Sequence, residues 1–206
     1  MKSRPAVIVL AAGRGERFLG LAHKLSQTLG GATVLGTTLR HAIASHLPVV
    51  VVTTEPLADM ARRSVAARDV IVLPEAGAGS AAHLGMGHSI ASGVSARANA
   101  GGWLILPADM PLVRPATLAA VAAQLEHHPV VCAHYKGRRG HPVGFSAELY
   151  SELATLAGDE GARRLVARYP ALGLELNDPG VLVDVDTEAD LARVRLMLAE
   201  APLEMR

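Results

Sequence analysis

The chain has 206 residues and a formal net charge of +1; half of its residues are hydrophobic and only 3% are aromatic. A charge this close to neutral argues against a nucleic-acid-binding surface, because phosphate contacts require a clustered excess of Lys and Arg. The single cysteine, Cys132, excludes an intramolecular disulfide and lies in an apolar run, which indicates a buried structural thiol and a reducing compartment.

The first predicted element is a strand over Val7–Leu10, and a glycine-bearing loop follows it. The loop contains Gly13, Gly15 and Arg17, and Lys24 comes shortly after. Glycines let backbone N–H groups approach a phosphate closely, and cations neutralise its charge. The segment therefore predicts a loop that holds a nucleoside triphosphate.

This loop differs from the two best-known phosphate loops. A P-loop needs a glycine before its lysine and Ser or Thr after it, whereas Lys24 follows His23 and precedes Leu25. A dinucleotide fingerprint needs a third glycine, and Phe18 stands at that position.

The apolar run at the N-terminus is short for a secretory leader, and charged residues follow it at once. No later run is long enough to span a bilayer. We therefore expect a cytoplasmic protein that does not bind membranes.

Short apolar runs alternate with helical patterns along the rest of the chain. The predicted strands are Val7–Leu10, Val49–Val52, Val70–Leu73, Leu104–Leu106, Val130–Ala133, Val143–Phe145 and Leu182–Val185. The predicted helices are Val34–Ser45, Leu57–Ala67, His88–Arg97, Thr117–Glu126, Ala147–Leu156, Glu160–Arg168 and Glu188–Ala199, with Thr187 as N-cap of the last. Strands that are apolar on both faces and alternate with helices predict an α/β protein, a Rossmann-like three-layer α/β/α architecture with a mainly parallel, mixed sheet.

Ligands of such sheets gather beyond the carboxyl ends of the strands. The glycine loop follows the first predicted strand, and Asp109 follows the fourth. A carboxylate at that position is costly to bury alone, and Mg²⁺ would give it a partner. We therefore expect Asp109 to hold a metal ion at the site, and a turn or N-cap role before Pro111 is the alternative.

Further motifs follow the glycine loop in order. They are Gly85–Gly93, Leu106–Leu112, Gly140–Phe145, Gly158–Arg163 and Asp184–Thr187. With the opening strand and its Leu-Ala-Ala-Gly-x-Gly-x-Arg-Phe loop, the chain resembles the molybdenum cofactor cytidylyltransferases of the MobA/MocA type. The resemblance implies one nucleotidyltransferase domain over residues 1–206, with a nucleotide-binding half of about 1–112 and an acceptor-binding half of about 113–206.

The resemblance also implies residue roles. Catalytic roles fall on Arg17, Lys24 and Asp109. Nucleotide-binding roles fall on Leu10, Ala11, Ala12, Gly13, Gly15, Arg17, Lys24, Gly87, Ser89, Gly93 and Asp109. Asp109 and Asp186 would bind Mg²⁺, with Asp184 as the alternative to Asp186, and Arg138, Gly140, His141 and Pro142 would bind the acceptor, with Arg139 beside them. Alanine rather than a second glycine at Ala12 favours CTP over GTP.

The implied reaction transfers CMP from CTP to the terminal phosphate of molybdenum cofactor and releases pyrophosphate. The implied partners are CTP, this phosphorylated acceptor, and a molybdoenzyme or its chaperone that receives the product. Transfer of GMP, or transfer to a sugar phosphate, are the alternatives within the fold. A nucleotide- or cofactor-binding protein without turnover is the alternative of another class, because the spacing between Arg17 and Lys24 is longer than in the family.

Overall fold

The structure, a computed structural model, describes residues 3–13, 15, 18, 22–74 and 85–200. The strands are β1 (Ala6–Ala11), β2 (Thr28–Leu29), β3 (Ala32–Thr33), β4 (Val49–Thr54), β5 (Val70–Leu73), β6 (Gly102–Pro107), β7 (Val130–Tyr135), β8 (Arg138–Ser146) and β9 (Ala171–Glu175). The α-helices are α1 (Val34–Ala44), α2 (Glu55–Arg62), α3 (Met86–Ser95), α4 (Pro115–Gln124), α5 (Tyr150–Ala154), α6 (Arg163–Arg168) and α7 (Glu188–Glu200). Short 3₁₀ helices lie at Lys24–Ser26, Ala67–Asp69, Ala147–Leu149 and Pro179–Leu182.

A seven-stranded mixed sheet has the order β5-β4-β1-β6-β8-β7-β9. β5, β4, β1 and β6 pair in parallel, as do β7 and β9, and β8 is antiparallel to both of its neighbours. A single reversed strand in an otherwise parallel sheet agrees with the predicted mainly parallel architecture. β2 and β3 form a separate two-stranded hairpin.

Helices cover both faces of this sheet, and its central strands β1, β4 and β6 are buried on both sides. Val7 and Val9 of β1 belong to one apolar cluster, which includes residues of α1, α2, α4 and α7. Ile8, which points to the other face, belongs to a second cluster with residues of α3, α5 and α6. Two cores on opposite faces make the three-layer α/β/α fold that the alternating pattern predicts.

Cys132 in β7 is 2% exposed, as its apolar surroundings predict, and burial raises the pKa of its thiol. No helix among the described residues has the length and apolar character needed to cross a membrane.

Gly93 lies where α3 packs against the sheet. A Cβ at Gly93 would come within 2.3 Å of Ile8 Cγ2 and 2.9 Å of Val52 Cγ2, so the glycine lets the helix approach β1 and β4 closely. Gly93 therefore has a packing role in the core, and its implied role in nucleotide binding stays a prediction.

We expect Gly93→Ala to lower the free energy of unfolding by about 1 to 2 kcal/mol, because overpacking exceeds the gain in helix propensity. Urea denaturation measures this loss, and Gly31→Ala is the matched control, since a Cβ there meets nothing within 4 Å. A Gly93→Ala protein that is as stable as the Gly31→Ala protein but binds nucleotide more weakly would restore the ligand role.

The end of the chain differs from the prediction in two places. The strand predicted at Leu182–Val185 is wrong: residues 179–182 form a 3₁₀ helix, and the chain continues without regular structure to the start of α7. The seventh strand of the large sheet is instead β9, an edge strand in which exposed and half-buried residues alternate. A short strand of this kind, with one glycine, lacks the continuous apolar run on which the prediction depended.

Buried hydrogen bonds hold the segment that follows β9 against the start of α4. Asp178 is only 2% exposed. Its carboxylate accepts hydrogen bonds from Arg114 N at 2.9 Å, Thr117 Oγ1 at 2.6 Å and Gly180 N at 3.0 Å. Further along, Val185 N donates to the Asp109 carbonyl at 2.9 Å. These bonds bring the Asp184–Asp186 segment to the carboxyl edge of β6.

The start of α7 is capped as predicted. Asp190 N donates to Thr187 Oγ1 at 3.1 Å, and Thr187 N donates to the Asp190 carboxylate at 3.0 Å. Two backbone donors are satisfied reciprocally, so the helix start is firmly defined directly after Asp186.

Candidate functional site

A lysine lies between two carboxylates at the carboxyl edge of the sheet. Lys24 Nζ donates to Asp109 Oδ2 at 2.6 Å and to Asp186 Oδ1 at 2.7 Å. The side chains of Lys24, Asp109 and Asp186 are 11%, 19% and 14% exposed. The structure therefore brings together three residues that the sequence singled out, from three separate segments of the chain.

The backbone around Asp109 is held from three sides. Ala108 N donates to the Leu10 carbonyl at 3.0 Å, which extends the pairing of β1 with β6 by one bond. Thr38 Oγ1 of α1 donates to the Ala108 carbonyl at 2.8 Å. With the bond from Val185 N to the Asp109 carbonyl, this network fixes the peptide units on either side of the carboxylate.

The charged groups at the site shift one another's pKa values. Burial by itself lowers the pKa of Lys24, but the charge and hydrogen bonds of Asp109 and Asp186 outweigh it, so the pKa lies above its ordinary value of 10.5. Burial, and then the negative charges of Asp186 and Asp109, raises the pKa of the Asp184 carboxyl above 3.8. Three acidic side chains thus influence one another at this edge, an arrangement that favours a bound cation.

The residues present fit a divalent cation. Two carboxylate oxygens converge on one point, and Asp109 Oδ1 is buried with no hydrogen-bond partner among the described residues. In the part of the chain that the structure describes, no group of three or more His, Cys, Asp or Glu side chains is placed to hold a metal. Mg²⁺ often takes only one or two carboxylates and completes its shell with phosphate oxygens and water.

The glycine loop lies over Lys24. Gly15 adopts the left-handed backbone region with φ of 65°, and a Cβ built on it would lie 3.3 Å from Lys24 Cγ. Gly13 is exposed, and its carbonyl lies 3.0 Å from His23 Nε2. Arg17, which the resemblance places among the catalytic residues, lies outside the described residues.

The other residues of the predicted nucleotide site at the end of β1 differ in burial and in hydrogen bonding. Ala11 is 1% exposed and belongs to the core, the Leu10 carbonyl is used by Ala108, and Ala12 is half-buried beside the second apolar cluster. Among the described residues at this point, the buried side chain of Ala11 is therefore not available to a ligand, and the half-buried Ala12 and exposed Gly13 are the candidates.

Gly87 packs closely against the backbone of Ala157 and Gly158. Its N–H donates to the Gly158 carbonyl at 2.8 Å, and a Cβ would lie 2.6 Å from the Ala157 carbonyl oxygen. Its backbone donor is therefore already occupied, and its implied contact with the nucleotide stays a prediction. Ser89 lies in the first turn of α3 and is 8% exposed.

The residues predicted to bind the acceptor lie on β8 and fall into two groups. A Cβ at Gly140 would lie 1.9 Å from the Val181 carbonyl oxygen, so this glycine lets the two segments pack closely, and its implied contact with the acceptor stays a prediction. Arg138 and Arg139 are exposed at the start of the strand. Pro142 follows His141 through a cis peptide bond and is buried.

Among the residues predicted to bind the acceptor, His141 lies close enough to Asp109 to respond to its charge. Burial lowers the pKa of its imidazole, although the Ile105 carbonyl and the charge of Asp109 act in the opposite direction. Its Nδ1 is buried without a hydrogen-bond partner among the described residues. A neutral imidazole with an unused nitrogen beside Asp109 is suited to contact a ligand at that edge.

Two residues that the sequence did not single out help to build the site. Thr38 holds the peptide before Asp109, and His23 joins the glycine loop to the turn that carries Lys24. The sequence offered only two signals for them, a threonine in an apolar helical pattern and a polar residue directly before the lysine. Neither signal is specific for a functional site.

Residues 7–172 match the model of the MobA-like NTP transferase domain. The purine catabolism protein PucB of Bacillus subtilis (strain 168) is 31% identical over 204 residues, which cover 91% of this chain and 94% of PucB. The bifunctional protein GlmU of Xanthobacter autotrophicus (strain ATCC BAA-1158 / Py2) is 33% identical over 156 residues, which cover 75% of this chain and 32% of GlmU.

Among solved structures, Rv0371c from Mycobacterium tuberculosis H37Rv is similar with a TM-score of 0.79 and 28% identity, and the match covers 94% of this chain and 99% of Rv0371c. The complex of Rv0371c with manganese matches with a TM-score of 0.75, 28% identity and the same two coverages.

Proposed function

The chain belongs to the MobA-like NTP transferase family, and from this premise we propose that it transfers CMP from CTP to the terminal phosphate of molybdenum cofactor in an Mg²⁺-dependent reaction. The observation that carries the proposal is the Lys24 ammonium between the Asp109 and Asp186 carboxylates, below a glycine loop at the carboxyl edge of the sheet. The proposal treats residues 1–206 as one nucleotidyltransferase domain with the two halves given above.

In the proposed reaction an oxygen of the acceptor phosphate attacks the α-phosphorus of CTP. The bond from that phosphorus to the oxygen bridging to the β-phosphate breaks, and pyrophosphate leaves with the electron pair. No side chain serves as a nucleophile. The chain therefore has to position two anions in line and stabilise the charge that develops between them.

Three groups of residues would share this task. The Gly13–Gly15 loop, with Arg17, holds the β- and γ-phosphates. Lys24 would place its charge at the α-phosphate. Asp109 and Asp186 would hold Mg²⁺, and a bound Mg²⁺ would supply charge neutralisation of the phosphates. The manganese complex of the similar protein Rv0371c supports a divalent cation in a fold of this kind.

Residues on β8 and in the glycine loop support the choice of acceptor and of nucleotide base. Arg138 and Arg139 offer positive charge near the acceptor side of the sheet, which suits a phosphate, and His141 lies close enough to Asp109 for their charges to interact. Ala12 at the loop favours CTP. The product would pass to a molybdoenzyme or its chaperone.

The test measures pyrophosphate release from each of the four NTPs with Mg²⁺, with and without molybdenum cofactor, and identifies the product by mass spectrometry. Release from CTP alone, dependent on the acceptor and accompanied by the cytosine dinucleotide form of the cofactor, is the expected result. Release from GTP, or with a sugar phosphate in place of the cofactor, would move the assignment to the corresponding branch. Nucleotide binding without release from any NTP would favour the non-catalytic binding protein.

A further inference from the structure

His23 uses both nitrogens of its ring in hydrogen bonds to the backbone. Leu25 N lies 3.2 Å from His23 Nδ1, and the Gly13 carbonyl lies 3.0 Å from His23 Nε2. A backbone N–H can only donate, so Nδ1 accepts. A carbonyl can only accept, so Nε2 carries the proton and donates. Both bonds form only with the neutral imidazole protonated at Nε2.

These two bonds join the end of β1 to the turn that carries Lys24. The bond to Leu25 N caps the 3₁₀ helix at Lys24–Ser26, whose first residue is the lysine between the two carboxylates. The bond to Gly13 holds the first glycine of the loop. Because a peptide unit is planar, a fixed carbonyl fixes the orientation of the whole unit that contains it.

Other contacts already hold the far part of the loop. Phe18 is 9% exposed in the core, and its N–H donates to the Gly15 carbonyl at 2.9 Å. Gly15 itself lies against the stem of Lys24 and close to His23 Nε2. Gly13, by contrast, is exposed, and a Cβ there would meet nothing within 4 Å. Among the described residues of the loop, Gly13 is thus the one that the His23 side chain anchors and that has no packing contact at its Cβ position.

We propose that His23 is a positioning residue that fixes the Gly13 end of the loop relative to Lys24 and thereby sets the affinity for nucleoside triphosphate. This inference rests on the nucleotidyltransferase function proposed above, since it assumes that the loop holds phosphates. His23 reaches the triphosphate only through the backbone it orients. Its effect should therefore appear in binding, which the ground state and the transition state share, and much less in turnover.

Two substitutions separate this role from simple capping of the 3₁₀ helix. Asparagine accepts from a backbone N–H two residues on, as His23 does, but its side chain is too short to reach the Gly13 carbonyl. His23→Asn therefore keeps the cap and loses the bond to the loop. His23→Ala loses both bonds.

We expect His23→Asn to raise the Kd for CTP with Mg²⁺ and no acceptor, and the KM for CTP, by about three- to tenfold, the range for one neutral hydrogen bond. The kcat should stay within about twofold of wild type, since uniform binding is what is lost. Calorimetric titration with CTP and with GTP gives the Kd, and thermal unfolding gives the stability. The Tm of His23→Asn should lie between that of the wild type and that of His23→Ala, because Asn loses one of the two hydrogen bonds and Ala loses both.

His127→Ala is the matched control, because His127 is an exposed histidine just after α4, away from the carboxyl edge. Unchanged CTP and GTP affinity in His23→Asn would overturn the inference and leave the proposed reaction untouched. An equal loss of kcat and kcat/KM would overturn it as well, because it would assign His23 to the chemical step. Weaker CTP binding in His23→Asn, in a protein that releases no pyrophosphate with any acceptor, would support the inference and reject the proposed reaction.

Discussion

Replacing Asp109 by asparagine is expected to lower kcat/KM for nucleotidyl transfer by at least about 100-fold while the protein stays folded. Asp109 supplies one of the two carboxylate oxygens that meet at the Lys24 ammonium, and its other oxygen is buried without a partner among the described residues. An amide keeps the size of the side chain but loses the negative charge that a divalent cation requires. Pyrophosphate release from CTP at saturating acceptor measures the effect.

Manganese binding gives a readout that does not depend on turnover. Electron paramagnetic resonance of free Mn²⁺ in a titration should show affinity weaker by at least about tenfold in Asp109→Asn, because a hard cation loses one of its two carboxylate ligands. Asp59→Asn is the matched control, since the Asp59 side chain is 89% exposed and pairs with Arg62 within its own helix. Wild-type Mn²⁺ affinity together with wild-type turnover in Asp109→Asn would reject Asp109 as a metal ligand.

Replacing Lys24 by methionine is expected to have two effects, one on stability and one on catalysis. In the absence of divalent cation, the free energy of unfolding should fall by about 3 kcal/mol, because two largely buried carboxylates lose their counter-charge. Turnover should fall by at least about 100-fold, because the charge proposed to act on the α-phosphate is removed. Denaturant unfolding and pyrophosphate release measure the two effects separately.

Divalent cation should restore the stability of Lys24→Met but not its turnover. Millimolar Mg²⁺ or Mn²⁺ would give Asp109 and Asp186 a new counter-charge and recover much of the lost stability, whereas the α-phosphate would still lack its lysine. Lys136→Met is the matched control for stability, because Lys136 is an exposed lysine between β7 and β8. A loss of stability that Mg²⁺ and Mn²⁺ both fail to reduce would show that the carboxylates do not form a cation site.

The pH dependence of this stability difference has a definite sign. The folded-state pKa of Lys24 lies above its ordinary value of 10.5, so the stabilising pair is fully present at lower pH and is lost as pH rises through the folded value. The difference between the wild type and Lys24→Met should therefore be constant near neutral pH and shrink only above 10.5. A difference that disappears near neutral pH would contradict the assignment to Lys24.

The sheet and the helices on both its faces were predictable because their signals are local. Val49–Val52 and Val130–Ala133 are continuous apolar runs, and α1 and α4 carry apolar positions at helical spacing. The two errors, the missed edge strand β9 and the strand wrongly predicted at Leu182–Val185, arise because the local pattern does not report the position of a segment in the sheet. A half-exposed edge strand carries a weak pattern, whereas Val181 and Val185 are apolar because they cover the core without pairing in the sheet.

The glycine motifs have a second explanation that the sequence does not reveal. Gly87, Gly93 and Gly140 stand in motifs that resemble those of nucleotidyltransferases, and another part of the protein approaches within 3 Å of where each Cβ would lie. A missing Cβ serves a ligand and a neighbouring segment equally well. The tertiary structure shows the neighbouring segment, and the ligand contacts of these glycines stay predictions.

The sequence by itself determined the order of the elements, the position of the glycine loop after β1 and that of Asp109 after β6, since each depends on neighbours in the chain. The tertiary structure decided which charges meet. Asp109 and Asp186 reach Lys24 across separations of 85 and 162 residues, and the bonds of Asp178 and Val185 bring the last segment to that edge. The physical reason is that an ion pair depends on distances between side chains, and for residues so far apart in the chain those distances arise only when the whole sheet is assembled.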